Sequence, residues 1–371
     1  MTKSRKVFFT APRSVEVREE RLPALKENEV LVETVCSAIS AGTEMLIYRG
    51  EFPVESDSHD NISSDLGYPL TYGYACAGVV RETGREVDRA WRDKRVFAFR
   101  PHCSHFIAAP DPLLAIPDSL SFETACFLPN METAVNLVQD AAPLLGERVL
   151  VFGQGIVGLL TSSLLSEFPL ELLIAADNYK LRRRAFEVQG RMSKVTRTVV
   201  LDSSAVDFDE RARGLLEDGA DLTLELCGHP SALDEAISLT RFSGRVVIGS
   251  WYGSKKGQVD LGGSFHRSRI KLISSQVSTI SPELSGRWDK PRRFEVAWKA
   301  LERIRPEKWI THRFPLDDAG KAYELLDQNP QQTIQVLLTP ERGLPWHHPP
   351  GQVQSAPGEV QTEVRSPKNG G

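Results

Sequence analysis

The sequence predicts an α/β protein in which an open, doubly wound parallel sheet is inserted into a mainly β domain. Three observations carry this. Residues 1–120 consist of short apolar runs broken by turn residues; from about Ser121 strands and helices alternate; and after Ser275 the chain closes with helices and a strand suited to a return to the first domain.

The elements follow in order. KVFFTAP, EVLVETVCSAIS, GVVRET and KRVFAFRP are rich in valine, phenylalanine and threonine and are bounded by turn or charged residues, which is strand patterning. SFETACFLPNMETAVNLVQDA then reads as a helical stretch, RVLVFG as a strand, IVGLLTSSLLSEF as a helix and ELLIAAD as a second strand. The alternation continues through KVTRTVVLD, a charged helix around Phe208 to Leu216, the strand DLTLELC, the helix SALDEAISLTRF and the strand GRVVIGS. Crossovers between such parallel strands are expected to be right-handed. A turn-rich passage, SPELSGRWDKPRR, leads to the helix FEVAWKALERI, the helix DDAGKAYELLD and the strand TIQVLLT. The boundaries predicted are 1–120 plus 276–340 for the first domain and 121–275 for the second. Residues 341–371 are rich in Pro, Gly, Ser and Gln and read as a disordered tail.

With 371 residues and 41% hydrophobic content the chain can fill two cores. Lysine plus arginine (45) nearly balances aspartate plus glutamate (49), so no nucleic-acid or acidic-membrane partner is expected and a small-molecule partner is. The five cysteines form no C-x-x-C pair, no run reaches membrane-spanning length, and the opening VFF is too short for a signal core. A cytoplasmic location is therefore expected.

VLVFGQGIVGLL carries G-x-G-x-x-G at Gly153, Gly155 and Gly158, between a strand and a helix that Ile156 and Val157 open. The first glycine permits the tight turn, the second lets a pyrophosphate approach the helix N-terminus, and the third allows helix and strand to pack closely. Asp177 closes the next strand, where a carboxylate accepts hydrogen bonds from an adenosine ribose. That acid favours NAD; Lys180, Arg182, Arg183 and Arg184 either neutralise the extra phosphate of NADP or form a solvated helix face. Cys227, Gly228 and Ser250, with Trp251, end two further strands, at the side where the ligand crevice of a parallel sheet belongs.

ENEVLVETVCSAIS, YGYACAGVV, LLAIPDSLSFETACFL, the glycine turn, ADLTLELCGHPSALDEAISLTRFSGRVVIGS and ITHRFPLDDAGKAYELL together resemble the medium-chain dehydrogenase/reductase superfamily, which includes the zinc alcohol dehydrogenases. The resemblance implies a Rossmann dinucleotide-binding domain inserted into a GroES-like catalytic domain, and hydride transfer with NAD or NADP. It also implies a homodimer formed edge to edge between Rossmann sheets, with GRVVIGS as a candidate edge. The zinc members hold their catalytic metal on a cysteine after the entry strand, a histidine in a G-H-E segment and a third Cys or acidic ligand. Here Ser40 stands at the first place, G-H-E reads Gly73, Tyr74, Ala75, and Pro129 falls near the third. A hydroxyl pair and a proline do not supply tetrahedral zinc ligation, so no zinc is expected. Cys103 stands alone where the structural-zinc lobe would be, and RPHCSHF, with His102, Cys103 and His105, reads as a polar loop near the cleft in which His105 is a further candidate for substrate contact. SAISAGTEMLIYRG, LGYPLTYGYACAGVV and FHRSRIKLISSQVSTISPELSGRWDKPRR are similar to a branch that includes bacteriochlorophyllide a dehydrogenase.

Without a metal, the charge that hydride transfer leaves on the substrate oxygen must be met by a hydrogen-bond donor or general acid. Tyr74 is the first candidate, as phenol or as a phenolate favoured by a nearby positive nicotinamide ring; packing is its alternative. Ser40 and Thr43 are candidates for a proton relay or simply shape a turn, and Glu44 is an acid, an orienting carboxylate or a solvated helix-start charge. Tyr72 reads as packing and Tyr48 as a pocket wall. The expected function is a zinc-independent NAD(P)-dependent oxidoreductase interconverting a secondary alcohol and a ketone. A quinone or enoyl reductase of the same fold, or a non-catalytic dinucleotide-binding protein, are the alternatives.

Overall fold

The computed structural model describes residues 2–52, 67–189 and 194–340. The tail reading for 341–371 lies outside the described residues. The chain opens with the hairpin β1 (Lys3–Ala11) and β2 (Ser14–Arg21), then β3 (Val30–Ile39), the short helix α1 (Thr43–Arg49), β4 (Cys76–Thr83), β5 (Arg95–Ala98), β6 (His105–Ala108) and β7 (Leu114–Ala115). In β1, Val7 and Phe9 are fully buried while their neighbours are less so, the period-2 burial of a strand with one face in a core.

Helices α2 (Phe122–Ala125) and α3 (Leu128–Ala141) lead into the alternating half: β8 (Arg148–Phe152), α4 (Ile156–Leu165), β9 (Leu172–Asp177), α5 (Lys180–Gln189), β10 (Arg197–Asp202), α6 (Phe208–Leu216), β11 (Ala220–Glu225), α7 (Ser231–Ser238), β12 (Thr240–Ile248) and β13 (Lys271–Ser274). The chain closes with α8 (Lys290–Ile304), β14 (Ile310–Pro315), α9 (Ala319–Gln328) and β15 (Gln335–Thr339).

Among the described residues the second half forms a six-stranded sheet ordered β10-β9-β8-β11-β12-β13, parallel at every pairing. Order reverses between β8 and β11, which is where a doubly wound sheet opens its crevice. Every residue of β9 is buried, as a strand covered by helices on both faces requires. GRVVIGS, expected as a free edge, lies in and just after β12, which pairs with β11 on one side and β13 on the other; β13 is the edge strand there. The apolar composition of the segment marked a buried strand but not its place in the order.

The other large sheet runs β14-β15-β3-β4-β5-β7, with β6 also paired to β3. The last strand therefore does return to the first: Val336 faces Ile39 and Leu337 faces Ala38 across β15 and β3. One apolar core joins the sheets through α3, α4 and α8, with Phe127, Met131, Leu159, Leu160 and Leu301 fully buried in it. Helix α8 starts cleanly because Asp289 caps Arg292 N at 2.8 Å and Pro291 occupies the first turn. It also carries a fully buried cation, Arg293. Nε and Nη2 of that guanidinium donate to Oε1 of Glu132 on α3 at 3.1 and 2.9 Å, and its remaining hydrogens go to Asn136 Oδ1 and the carbonyls of Val277 and Thr279.

Candidate functional site

The glycine turn connects β8 to α4. Gly153 donates its N–H to Ala176 O at 2.8 Å and has φ +91°; a Cβ on it would lie 2.8 Å from Cys227 N, so the exits of β8 and β11 run against each other. A Cβ on Gly158 would lie 1.9 Å from Gly153 O, so that position admits no side chain. Gly155 caps α4, and the nearest atom a Cβ there would meet is Arg182 Nη1 at 4.0 Å. The space above Gly155, with the unpartnered first N–H groups of α4 behind it, is a cradle that fits a pyrophosphate.

Asp177 is buried at the end of β9, its Oδ2 accepting Gln154 N at 2.7 Å and its Oδ1 accepting Tyr179 N at 2.7 Å. Each oxygen keeps acceptor capacity for a ribose hydroxyl. The arginines beyond it divide. Lys180 and Arg184 are exposed, as a solvated face predicts, whereas Arg182 and Arg183 turn inward. Arg182 donates to the carbonyls of Thr333 and Pro330, stacks its guanidinium 4.7 Å from the Tyr179 ring centroid and places Nη1 4.0 Å from Asp177. Arg183 pairs with Asp202 at 2.6 Å and donates to Asp177 O.

A second carboxylate, one the sequence reading passed over, organises the other strand ends. Glu225, fully buried at the end of β11, accepts at Oε1 from Cys227 N (2.9 Å), Cys227 Sγ (2.9 Å) and Gly228 N (3.2 Å), and at Oε2 from Tyr252 OH (2.6 Å). Ser250 Oγ also accepts from Gly228 N at 2.9 Å. Cys227, Gly228 and Ser250 are thus brought together beside Gly153. Desolvation of its sulfur and then the Glu225 charge push the Cys227 thiol up, although the residue as a whole is exposed. The signal for Glu225 was available: like Asp177, it is an acid at the last position of a strand whose preceding residues are largely buried.

Tyr74, Ser40, Thr43 and Glu44 are also brought together. The side chains of Ser40 and Thr43 hydrogen-bond the half-buried Tyr74 phenol, and Ser40 N donates to Glu44 Oε1 at 3.0 Å. Burial, and then the nearby Glu44 charge, raise the phenol to about 12 against the opposing pull of those two hydroxyls. In the chain by itself the phenol is therefore protonated at neutral pH. Glu44 is not a solvated charge. It is fully buried, and its Oε2 accepts from His102 Nε2 at 2.8 Å and from Tyr323 OH at 2.5 Å.

The remaining candidates separate. Tyr72 packs edge-on to Tyr74 with ring centroids 6.3 Å apart, whereas Tyr48 is buried and stacks on Tyr323 at 5.5 Å, a core residue and not a pocket wall. His102 and Cys103 are buried and so do not form a polar loop; His105 bonds through Nδ1 to Ser104 and through its carbonyl to Ser4. Trp251, following β12, packs on the same apolar cluster as Tyr72, and Ser254 N donates to Glu51 O at 2.9 Å. The carboxyl ends of the parallel strands therefore meet the α1 region that carries the Tyr74 group.

Among the described residues no group of three His, Cys, Asp or Glu side chains is arranged to hold a metal ion, and no helix is long and apolar enough to cross a membrane. No protein-family model matches the chain. Curated relatives include the starvation-sensing protein RspB of Escherichia coli, 23% identical over 369 residues that span 90% of this chain and 98% of that protein. A sorbitol dehydrogenase of Bombyx mori is 21% identical over 360 residues, spanning 88% and 96%. Among solved structures, a short chain alcohol dehydrogenase (rspB) of Escherichia coli complexed with NADH superposes with a TM-score of 0.71 at 20% identity, over 91% of this chain and all (100%) of the other. A protein of Sinorhizobium meliloti assigned as a zinc-binding dehydrogenase and bound to NADP gives a TM-score of 0.71 at 19% identity, over 92% and 100%. At these identities the superpositions establish the α/β fold with its parallel dinucleotide-type sheet. Relatives named as dehydrogenases support an NAD(P)-dependent oxidoreductase.

Proposed function

We propose that this chain is a zinc-independent oxidoreductase that interconverts a secondary alcohol and a ketone with NAD or NADP, of a zinc-less branch within the medium-chain superfamily. The observation that carries the reading is the Tyr74 phenol held by Ser40 and Thr43, a residue that the sequence resemblance aligns with the histidine of the zinc members. Ser40, Tyr74 and Pro129 offer two neutral hydroxyls and no thiolate, imidazole or carboxylate, a donor set that does not fit zinc. No step is therefore routed through a metal. On this reading residues 1–120 plus 276–340 form the catalytic domain and 121–275 the Rossmann domain. Gly153, Gly155, Ile156, Val157, Gly158 and Asp177 hold the dinucleotide, with Cys227, Gly228 and Ser250 near its nicotinamide end. Asp177 favours NAD, since its carboxylate repels the extra phosphate of NADP.

A bound nicotinamide supplies or accepts the hydride. The chain supplies the proton chemistry: the Tyr74 phenol donates a hydrogen bond, then its proton, to the substrate oxygen as negative charge develops there. Ser40 and Thr43 orient that O–H and stabilise the phenolate left behind. Glu44 touches the substrate in no step; it is the charge behind the phenol. A small-molecule substrate, a cytoplasmic location and a homodimer through a sheet edge such as β13 belong to the same reading.

Incubation with NADH or NADPH and a panel of ketones, quinones and enones tests it. Turnover of ketones, with NADH preferred, is the expected result. Turnover confined to quinones or enones would replace the reading with a C=C or quinone reductase, and tight cofactor binding without any turnover would leave a non-catalytic dinucleotide-binding protein.

A further inference from the structure

Lys6, Arg100 and Cys103, to which the chemistry above gives no task, line a cavity of about 300 Å³ in the first domain, together with Leu22, Phe106 and Ile107. The cavity follows from the way β1 meets the segment before β6. Val7 N donates to His102 O at 3.1 Å and Ser104 N to Arg5 O at 2.8 Å, which sets Lys6 opposite Cys103 in an antiparallel bridge. Val7 and Phe9 face an apolar core, so by the two-residue period of the strand Lys6 projects from the other face. Cys76 Sγ on β4 donates to the carbonyls of Arg100 and Pro101 at 3.3 and 3.5 Å, tying the 100–103 segment to the sheet.

The walls are mostly apolar, two cations stand among them, and no carboxylate lines the space. The two cations differ. Lys6 Nζ is paired with Glu20 at 2.7 Å, both side chains being partly exposed. Arg100 has no carboxylate partner among the described residues, and its guanidinium lies 5.9 Å from the centroid of the Phe106 ring. Both charges reach the thiol between them: Cys76 first, then Lys6 and Arg100, hold Cys103 below the usual thiol range against the effect of burial. An unpaired guanidinium fork beside an apolar wall matches a ligand with a hydrocarbon body and one carboxylate.

We propose that this cavity binds a small amphipathic carboxylate, its acid group on Arg100 and its hydrocarbon body against Leu22, Phe106 and Ile107. The lining shares no residue with the dinucleotide cradle or with the Tyr74 group, so the site stands apart from the reading of the reaction.

Methyl spectra of the full chain test this without turnover, with octanoate as the probe. With 13C in the isoleucine and leucine methyl groups, the Ile107 and Leu22 resonances are assigned from Ile107→Val and Leu22→Met. Both are expected to move together and saturate as octanoate is added, and to do so equally with NADH present. Octanol, which keeps the chain, and acetate, which keeps the charge, are each expected to bind at least about tenfold more weakly. Arg100→Gln, on an exposed side chain, is expected to raise the octanoate Kd by about tenfold. Lys6→Gln is expected to raise it less, because Glu20 already shares that ammonium. Resonances unmoved at millimolar octanoate would overturn the proposal. Octanol binding as well as octanoate, or an unchanged Kd in Arg100→Gln, would overturn it by showing that no anion is recognised. Shifts abolished by NADH would place octanoate in the crevice and overturn it too.

Discussion

Tyr74→Phe is expected to lower ketone turnover by about 10²–10⁴-fold, the range that loss of a positioned proton donor costs. The change removes one oxygen and keeps the ring that packs edge-on to Tyr72, so the folded state should differ by no more than about 1 kcal/mol. Steady-state kinetics beside urea unfolding separates the two: kcat falls and the unfolding midpoint stays. Undiminished turnover would mean that the phenol fills space. The pH dependence follows from the same group. With Tyr74 raised to about 12, the protonated donor needed for ketone reduction is fully present across neutral pH, so this group imposes no loss there. Alcohol oxidation needs the deprotonated form and should rise with pH up to that region, about tenfold per unit where this step limits.

The largest effect on stability is expected at Arg293. Arg293→Ala should cost about 3–5 kcal/mol, because it takes the guanidinium fork from the buried Glu132 carboxylate and leaves the Thr279 carbonyl and Asn136 Oδ1 without that donor, Lys290 still reaching the Val277 carbonyl. Lys290 also reaches Glu132, yet its side chain is 37% exposed and it cannot replace the guanidinium fork. Lys290→Ala should accordingly cost about 1 kcal/mol or less. Urea unfolding of the two variants checks the contrast. The double replacement Arg293→Met with Glu132→Leu should recover most of the loss, since it removes both charges together. Equal, small effects of the two single variants would show that the cluster is solvated in solution.

What was legible in the sequence is local. The switch from a two-residue to a helical period marks the alternating half, and G-x-G-x-x-G with Asp177 specifies one turn and the strand beside it, all within a short stretch of chain. Tyr74 could be singled out because a resemblance placed it where a metal ligand stands elsewhere. Long-range contacts left no such trace. His102 and Glu44 lie 58 residues apart, Tyr323 and Glu44 279 apart, and Arg293 and Glu132 161 apart. No periodicity or spacing links them, so a histidine in RPHCSHF reads as a polar loop and a tyrosine in GKAYELL as core filling. Arg182 fails in the same way: its partners are carbonyls 148 and 151 residues further on. Strand order is likewise invisible, which is why GRVVIGS passed for an edge although β13 covers it.

Ketone reduction by NADH, measured on the purified protein before and after exhaustive chelation with its zinc content determined alongside, tests most directly whether a phenol has taken over from a metal. Turnover should be unchanged by the chelator in protein holding far less than one zinc per chain. Loss of turnover on chelation, regained when zinc is added back, would contradict it.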